Sequence, residues 1–314
     1  MTAALLFPGQ GAQQVGMLAE VAEASPAARA VFRLADEQLG FPLSRVCFEG
    51  PAERLNATDV CQPAIFVSSA ATLAAMHEAL GDGLPEAAMM AGLSLGEYTA
   101  LYAADAIDFA PALELVAQRG RFMQEAAEAA PGGMVSILGL EEDQVAALCA
   151  AAGDGGVLVP ANFNSPGQIV ISGELAACER AEAMAGDFGA RGAVRLQVAG
   201  AFHSPMMATA AAKLAEAIEP VEFRPPRRPV VANVDARPHE GADRIKRRLV
   251  EQVTSPVRWN ESVRYMLDNG VDSFYEVGPG KVLTGLLWRI ERGAACRCVN
   301  SADAVAKLVG EAAR

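Results

Sequence analysis

The stretch Ala87-Ala-Met-Met-Ala-Gly-Leu-Ser-Leu-Gly-Glu-Tyr-Thr-Ala-Leu101 decides how this chain folds. Residues 87–91 form a short apolar run that reads as a buried strand, and residues 97–104 continue as a helix of small and apolar side chains. Between them, Gly92-Leu-Ser-Leu-Gly96 fits the G-x-S-x-G nucleophile elbow, in which a strand reverses sharply into a helix. The glycines supply the space and backbone freedom for that reversal. Ser94 is thereby pushed out at the top of a sheet, near the positive end of a helix dipole. The N–H of Leu95, one residue on, is placed to hold an oxyanion. The same pattern also fits a glycine-bounded turn carrying an idle serine, and the elbow alone does not choose between the two.

Composition bounds the rest. At 314 residues with 52% hydrophobic side chains, the chain can bury a sizeable core, and it suits one large α/β domain with a smaller one inserted. A net charge of −12 argues against nucleic acid as a partner. The N-terminal residues 1–7 lack a basic region followed by a long apolar core, so they read as a first strand rather than a signal peptide. No stretch approaches an uninterrupted transmembrane length, and no membrane association is expected. The six cysteines are scattered. Only Cys296 and Cys298 lie close together, without a second ligand pair, so zinc is not expected and all six read as reduced cytosolic thiols.

Working outward from the elbow, Leu5-Leu-Phe-Pro-Gly-Gln-Gly11 is a strand followed by a glycine-flanked turn. Gly9 and Gly11 leave the backbone of Gln10 able to approach a ligand, so this turn is either a second oxyanion donor or an ordinary strand end. Helices are predicted over 27–39, 64–80 and 110–130. In the last of these Leu113, Val116, Gly120, Met123 and Ala127 make the buried stripe, and Arg119 shares a face with Met123 four residues on. Arg119 is then a solvated flank or, if the stripe lines a pocket, a two-pronged clamp for a substrate carboxylate. After Pro131 the rhythm changes. Strands at 134–140, 157–162, 168–172 and 193–198 alternate with helices at 141–152 and 174–188, with a turn at 164–167 between the middle strands. The resulting order βαββαβ is the ferredoxin-like motif. The last third returns to strands at 229–234 and 273–277, with helices at 245–253, 259–269 and 282–290.

A serine nucleophile needs a base, and only three histidines exist. His77 reads as a helix flank and His239 as part of a polar loop. His203, in Val198-Ala-Gly-Ala-Phe-His-Ser-Pro205, sits among small apolar residues where a loop meets a helix, and it is the best candidate of the three. No acid between Ser94 and His203 has a convincing strand-end setting, so a backbone carbonyl is the expected orienter and an ordinary hydrolase is disfavoured. The clusters Arg224/Arg227/Arg228 and Lys246/Arg247/Arg248 are either solvated faces or receivers of phosphates or an acidic partner.

Seven motifs in order resemble the malonyl-CoA:acyl carrier protein transacylases and the related acyltransferase domains of polyketide synthases. They are Phe7-Pro-Gly-Gln-Gly11, Gly92-Leu-Ser-Leu-Gly-Glu97, Gln118-Arg-Gly-Arg-Phe-Met-Gln124, Asn162-Phe-Asn-Ser-Pro-Gly-Gln168, Gly200-Ala-Phe-His-Ser-Pro205, Gln252-Val-Thr-Ser-Pro-Val-Arg-Trp259 and Glu276-Val-Gly-Pro-Gly280. The resemblance implies an α/β-hydrolase-like large domain with a parallel sheet (1–130 and 199–314) and an inserted ferredoxin-like subdomain (131–198). It implies Ser94 as nucleophile, His203 as base, the Gln252 main-chain carbonyl as its orienter, and the N–H groups of Gln10 and Leu95 as oxyanion hole. Arg119 would pair with the malonate carboxylate, with Met123, Phe202 and Asn162 also lining the substrate site. Phe202 before the histidine resembles the malonyl-selecting version. The implied reaction is a ping-pong transfer from malonyl-CoA to acyl carrier protein that needs no cofactor or metal. A cytoplasmic monomer is expected, with the carrier docking on Lys246/Arg247/Arg248 or on Arg191 and Arg195. Most of the family has histidine where Leu93 stands, which bears on pocket polarity rather than on the base. Other readings are a polyketide acyltransferase with another extender unit, a thioester hydrolase, and a non-catalytic carrier-binding module.

Overall fold

A computed structural model describes residues 2–81 and 86–312. The elements run β1 (Ala3–Phe7), α1 (Ala19–Ala24), α2 (Pro26–Leu39), α3 (Leu43–Glu49), α4 (Ala52–Asn56), α5 (Thr58–Leu80), β2 (Ala87–Gly92), α6 (Gly96–Ala103) and α7 (Phe109–Ala129). Next come β3 (Gly132–Leu138), α8 (Glu142–Gly153), β4 (Leu158–Ser165), β5 (Gln168–Glu174), α9 (Leu175–Met184) and β6 (Gly192–Arg195). The chain finishes with α10 (Ala208–Ile218), β7 (Val230–Val231), α11 (Ala242–Gln252), α12 (Trp259–Asp268), β8 (Ser273–Val277), α13 (Val282–Ile290), β9 (Ala295–Val299) and α14 (Ala302–Ala312).

Two sheets result. The larger has the order β7-β2-β1-β8-β9 and every pairing is parallel. Both of its faces are covered, and β1 shows why a parallel strand is apolar throughout. Ala3, Leu5 and Phe7 enter one hydrophobic cluster with α5 and α7, while Ala4 and Leu6 enter another with α12 and α13. The smaller sheet has the order β4-β5-β3-β6 with antiparallel pairings, the arrangement of a ferredoxin-like βαββαβ unit. Its alternation is functional. Val135, Ile137, Ile169 and Ile171 point into a cluster beneath α8 and α9, whereas Met134 and Val170 point the other way, into the cluster shared with α7. Each such buried aliphatic side chain contributes about 1.5–3 kcal/mol.

Several sequence expectations shift. The helix expected from residue 64 begins at Thr58, so Pro63 lies inside it. Proline removes one intrahelical hydrogen bond, and burial of Val60, Cys61 and Gln62 outweighs that loss. By length and composition α5 could cross a membrane, contrary to the reading that no stretch comes near; 89% of its most apolar window is buried inside the fold. The strand expected over 229–234 shrinks to Val230–Val231, because the N–H of Asn233 turns to the Glu97 carboxylate (2.9 Å) instead of a neighbouring strand. Strand β4 runs on to Ser165 and narrows the expected turn to Pro166 and Gly167, while β6 stops at Arg195. Helices α1, α3, α4 and α14 and strand β9 have no counterpart in the sequence reading, and α10 is the helix expected to follow His203.

Candidate active site

The elbow is built by close approach of backbones. A Cβ on Gly92 would lie 1.9 Å from the carbonyl carbon of Gly96, and one on Gly96 would lie 2.1 Å from the Phe7 carbonyl oxygen. Gly9 is the third close approach, since a Cβ there would come within 2.3 Å of the Leu93 oxygen. That contact brings the Gln10 turn against the elbow. Ser94 itself has φ 51°, a left-handed conformation that costs a non-glycine residue about 1–3 kcal/mol and is sustained by its surroundings. Asn233 supplies the support: its Oδ1 accepts from the Ser94 N–H (2.6 Å) while its Nδ2 donates to the Gly92 carbonyl (2.8 Å).

The Ser94 Oγ lies 2.8 Å from His203 Nε2, and His203 Nδ1 lies 2.8 Å from the Gln252 main-chain oxygen. A carbonyl only accepts, so Nδ1 carries the proton and the Nε2 lone pair faces the serine hydroxyl. His203 is buried and also left-handed (φ 56°). Burial first, and the Arg119 charge second, lower its pKa from 6.5 to about 4, against the opposing hydrogen bond to Gln252. A neutral imidazole aimed at a hydroxyl is a poised general base.

Arg119 is only 1% exposed, so it is not the solvated flank that its helix position allowed. Its Nη1 donates to Gln62 Oε1 (2.6 Å) and its Nη2 to both Gln252 Oε1 (3.0 Å) and Ser94 Oγ (3.0 Å). Its guanidinium stands 5.5 Å from the Tyr98 ring centroid, and burial lowers its pKa while Tyr98 and Glu97 oppose that shift. No carboxylate lies within ion-pair distance of it among the described residues.

A cavity of about 310 Å³ opens over Ser94. Gln10, Leu95, Arg119, Met123, Phe202, Asn162 and His203 all line it, together with Leu93 and the sheet residues Met134 and Val170. Leu95 immediately precedes the first turn of α6, where N–H groups lack intrahelical acceptors. Met123 is anchored by a weak bond from Gln62 Nε2 to its sulfur (3.4 Å).

Four residues escaped the sequence reading. Gln62 precedes the first residue of the expected 64–80 helix, and Asn233 lay in a misread strand. Glu97 is an acid in an otherwise apolar helix, and that burial pattern was the available signal. His239, read as part of a polar loop, is instead buried with Nε2 2.8 Å from Glu97 Oε1, because its side chain closes the space behind the elbow. His77 is exposed, as expected of a flank.

The basic clusters divide. Arg224, Arg227 and Arg228 pair with Asp108, Asp105 and Glu86. Arg248 is buried against Asp235, Lys246 bonds to the Glu219 carbonyl, and Arg195 bridges Glu179 and Glu182. Arg191, Arg289 and Arg292 have no ion-pair partner among the described residues, and they surround a groove with the exposed Trp288. That groove shares Gln168 with the catalytic cavity.

A strained serine on a strand–helix elbow, a neutral histidine and a buried cation together define an α/β enzyme of the acyl-transferring class. The chain belongs to the acyl transferase domain family, whose model matches residues 4–311. It is 46% identical to the malonyl CoA-acyl carrier protein transacylase of Escherichia coli K12 over 303 residues, covering 96% of this chain and 97% of that one. It is 43% identical to the Bacillus subtilis enzyme of the same name, over 92% of this chain and 90% of that one. Among solved structures, the malonyl-CoA:acyl carrier protein transacylase of Xanthomonas oryzae superposes with TM-score 0.94 at 42% identity, covering 99% of this chain and 98% of that one. A malonyl-transacylase in complex with a type II polyketide acyl carrier protein superposes equally well, with TM-score 0.94, 40% identity and coverage of 99% and 100%.

Proposed function

We propose that this enzyme moves a malonyl group from coenzyme A to the phosphopantetheine thiol of an acyl carrier protein, supplying units for fatty acid synthesis. Ser94 Oγ attacks the thioester carbonyl as His203 Nε2 takes its proton. The N–H groups of Gln10 and Leu95 hold the oxyanion, which collapses to the serine ester and expels the coenzyme A thiolate, protonated by His203. His203 then deprotonates the carrier thiol, which attacks the ester. The second tetrahedral intermediate releases Ser94, and the proton returns to its oxygen. Gln252 holds the imidazole in the working tautomer throughout, and no step calls for a metal or redox cofactor.

The observation that carries the reading is Arg119, a buried cation without a carboxylate partner, beside the nucleophile. A malonyl carboxylate satisfies it with two charge-assisted bonds, whereas an acetyl group leaves it unpaired. Met123, Phe202 and Asn162 shape the remaining wall. Supply of polyketide synthesis is a second reading, favoured by the likeness to the transacylase bound to a polyketide carrier. The carrier, an acidic protein, docks on Arg191, Arg289 and Arg292, which line one groove beside the cavity. The protein acts as a cytoplasmic monomer, with residues 131–198 forming a subdomain inserted into the unit made by 1–130 and 199–314.

Brief mixing with malonyl-CoA, acetyl-CoA or methylmalonyl-CoA, followed by intact-protein mass spectrometry, tests this function. A malonyl adduct absent from Ser94→Ala and discharged by carrier protein is expected. An adduct with another acyl group only overturns the substrate; release of free malonate without transfer makes the protein a hydrolase; and no reaction at all leaves a carrier-binding module.

A further inference from the structure

Behind the nucleophile lies a buried polar cluster that the transfer chemistry does not use directly. Glu97 is 1% exposed and its carboxylate accepts three hydrogen bonds. Oε2 takes the Asn233 N–H (2.9 Å) and the Gln252 side-chain amide (2.7 Å), and Oε1 takes His239 Nε2 (2.8 Å). His239 Nδ1 has no partner among the described residues, and because a carboxylate only accepts, Nε2 carries a proton and gives it to Glu97. The Gln252 amide nitrogen also donates to the Ser94 carbonyl (3.1 Å). With both acceptors on one side, the amide nitrogen is fixed toward Glu97, and Oε1 must face Arg119 Nη2.

We infer that Glu97 is a positioning residue for acyl-group selection, acting through the Gln252 side-chain amide to hold Arg119 ready for a substrate carboxylate. The neutral amide relays one hydrogen bond from the carboxylate to the guanidinium. The cation is therefore oriented by an anion that does not touch it and does not occupy its carboxylate-binding edge. A direct ion pair would compete with the substrate more strongly than the neutral Gln252 Oε1 on Nη2 does. If the amide turned over, its NH₂ would meet the Nη2 donor of Arg119, and the clamp would lose its alignment. The same turn would leave His203 in place, because His203 is held by the Gln252 main chain rather than its side chain.

The inference rests on the malonyl-transfer reading, and the test separates the two. Glu97→Met keeps the bulk of the side chain and removes both acceptors, while Glu97→Gln retains an acceptor oxygen. Loading of Ser94 is timed with malonyl-CoA, with acetyl-CoA and with an uncharged sulfonyl fluoride that reports the serine–histidine pair alone. In Glu97→Met the malonyl-to-acetyl rate ratio is expected to fall at least roughly tenfold, with sulfonylation within about threefold of the wild type and Glu97→Gln recovering most of the ratio. An unchanged ratio, or an equal loss with all three reagents, overturns the inference. Should Glu97→Met not fold, Glu97→Ala, which removes both acceptors and the bulk together, is read in the same way. Failure of the wild type to load malonyl-CoA would instead sink the transfer reading itself.

Discussion

Lowering the pH from 7.5 to 5 interrogates the catalytic histidine directly. His203 is buried and lies near the Arg119 charge, and these two causes take its pKa from 6.5 to about 4. At pH 5 a group with a pKa near 4 is still about 90% neutral, whereas one near 6.5 would be only about 3% neutral. The two cases therefore differ by roughly thirtyfold in active base. Sulfonylation of Ser94 by an uncharged sulfonyl fluoride, followed by intact mass, reads that base without titration of a coenzyme phosphate. The rate is expected to stay nearly flat to pH 5 and to fall around pH 4. A midpoint near 6.5 would refute the claim that burial and Arg119 keep the imidazole neutral. The linkage sign is fixed by the same shift. The unfolded chain binds the proton below pH 6.5 and the folded chain only near 4, so stability is present above 6.5 and declines as pH falls across that window. The full contribution is on the order of 3 kcal/mol.

Arg119→Ala removes the charge proposed to pair the malonyl carboxylate, and malonyl loading is expected to fall by about 10²–10⁴ while acetyl loading falls less or rises, as read by competing adduct masses. Leu93→His alters a cavity wall but neither nucleophile nor base, so malonyl transfer should stay within about an order of magnitude in a steady-state assay. Gly96→Ala sets a methyl against the Phe7 carbonyl oxygen at 2.1 Å, and chemical denaturation should show a loss of about 3 kcal/mol or more, or no folded protein. Arg289→Glu combined with Arg191→Glu should raise the carrier KM several-fold and weaken its salt dependence while sparing malonyl-CoA loading. Unchanged carrier kinetics would place docking elsewhere.

Local chemistry made part of this molecule legible in advance. Gly92 and Gly96 around Ser94 specify a tight strand–helix turn because only glycine allows those backbone approaches, and that constraint is written in consecutive residues. The βαββαβ order is likewise a matter of local periodicity, and it matches the antiparallel sheet order observed. Scarcity singled out His203, one of only three histidines, as a candidate base. What the sequence could not decide depends on side chains brought together from distant positions. Arg119 on its helix could have faced water; it is buried because Gln62 and Gln252, 57 and 133 residues away, supply its acceptors. His239 read as a loop residue because its loop is polar, yet Glu97, 142 residues away, draws it inward. Pro63 looked like a helix boundary until the core around α5 outweighed the lost hydrogen bond. Arg224, Arg227, Arg228 and Arg248 belonged to clusters that could have received a partner, until Asp108, Asp105, Glu86 and Asp235 were seen beside them. Residue type and spacing thus determined the elbow, the insert and the candidate reacting pair, since those rest on short-range sterics and period. Which buried charges pair, and which cation is buried on neutral acceptors alone, was decided only when the tertiary fold fixed distances between residues far apart in the chain.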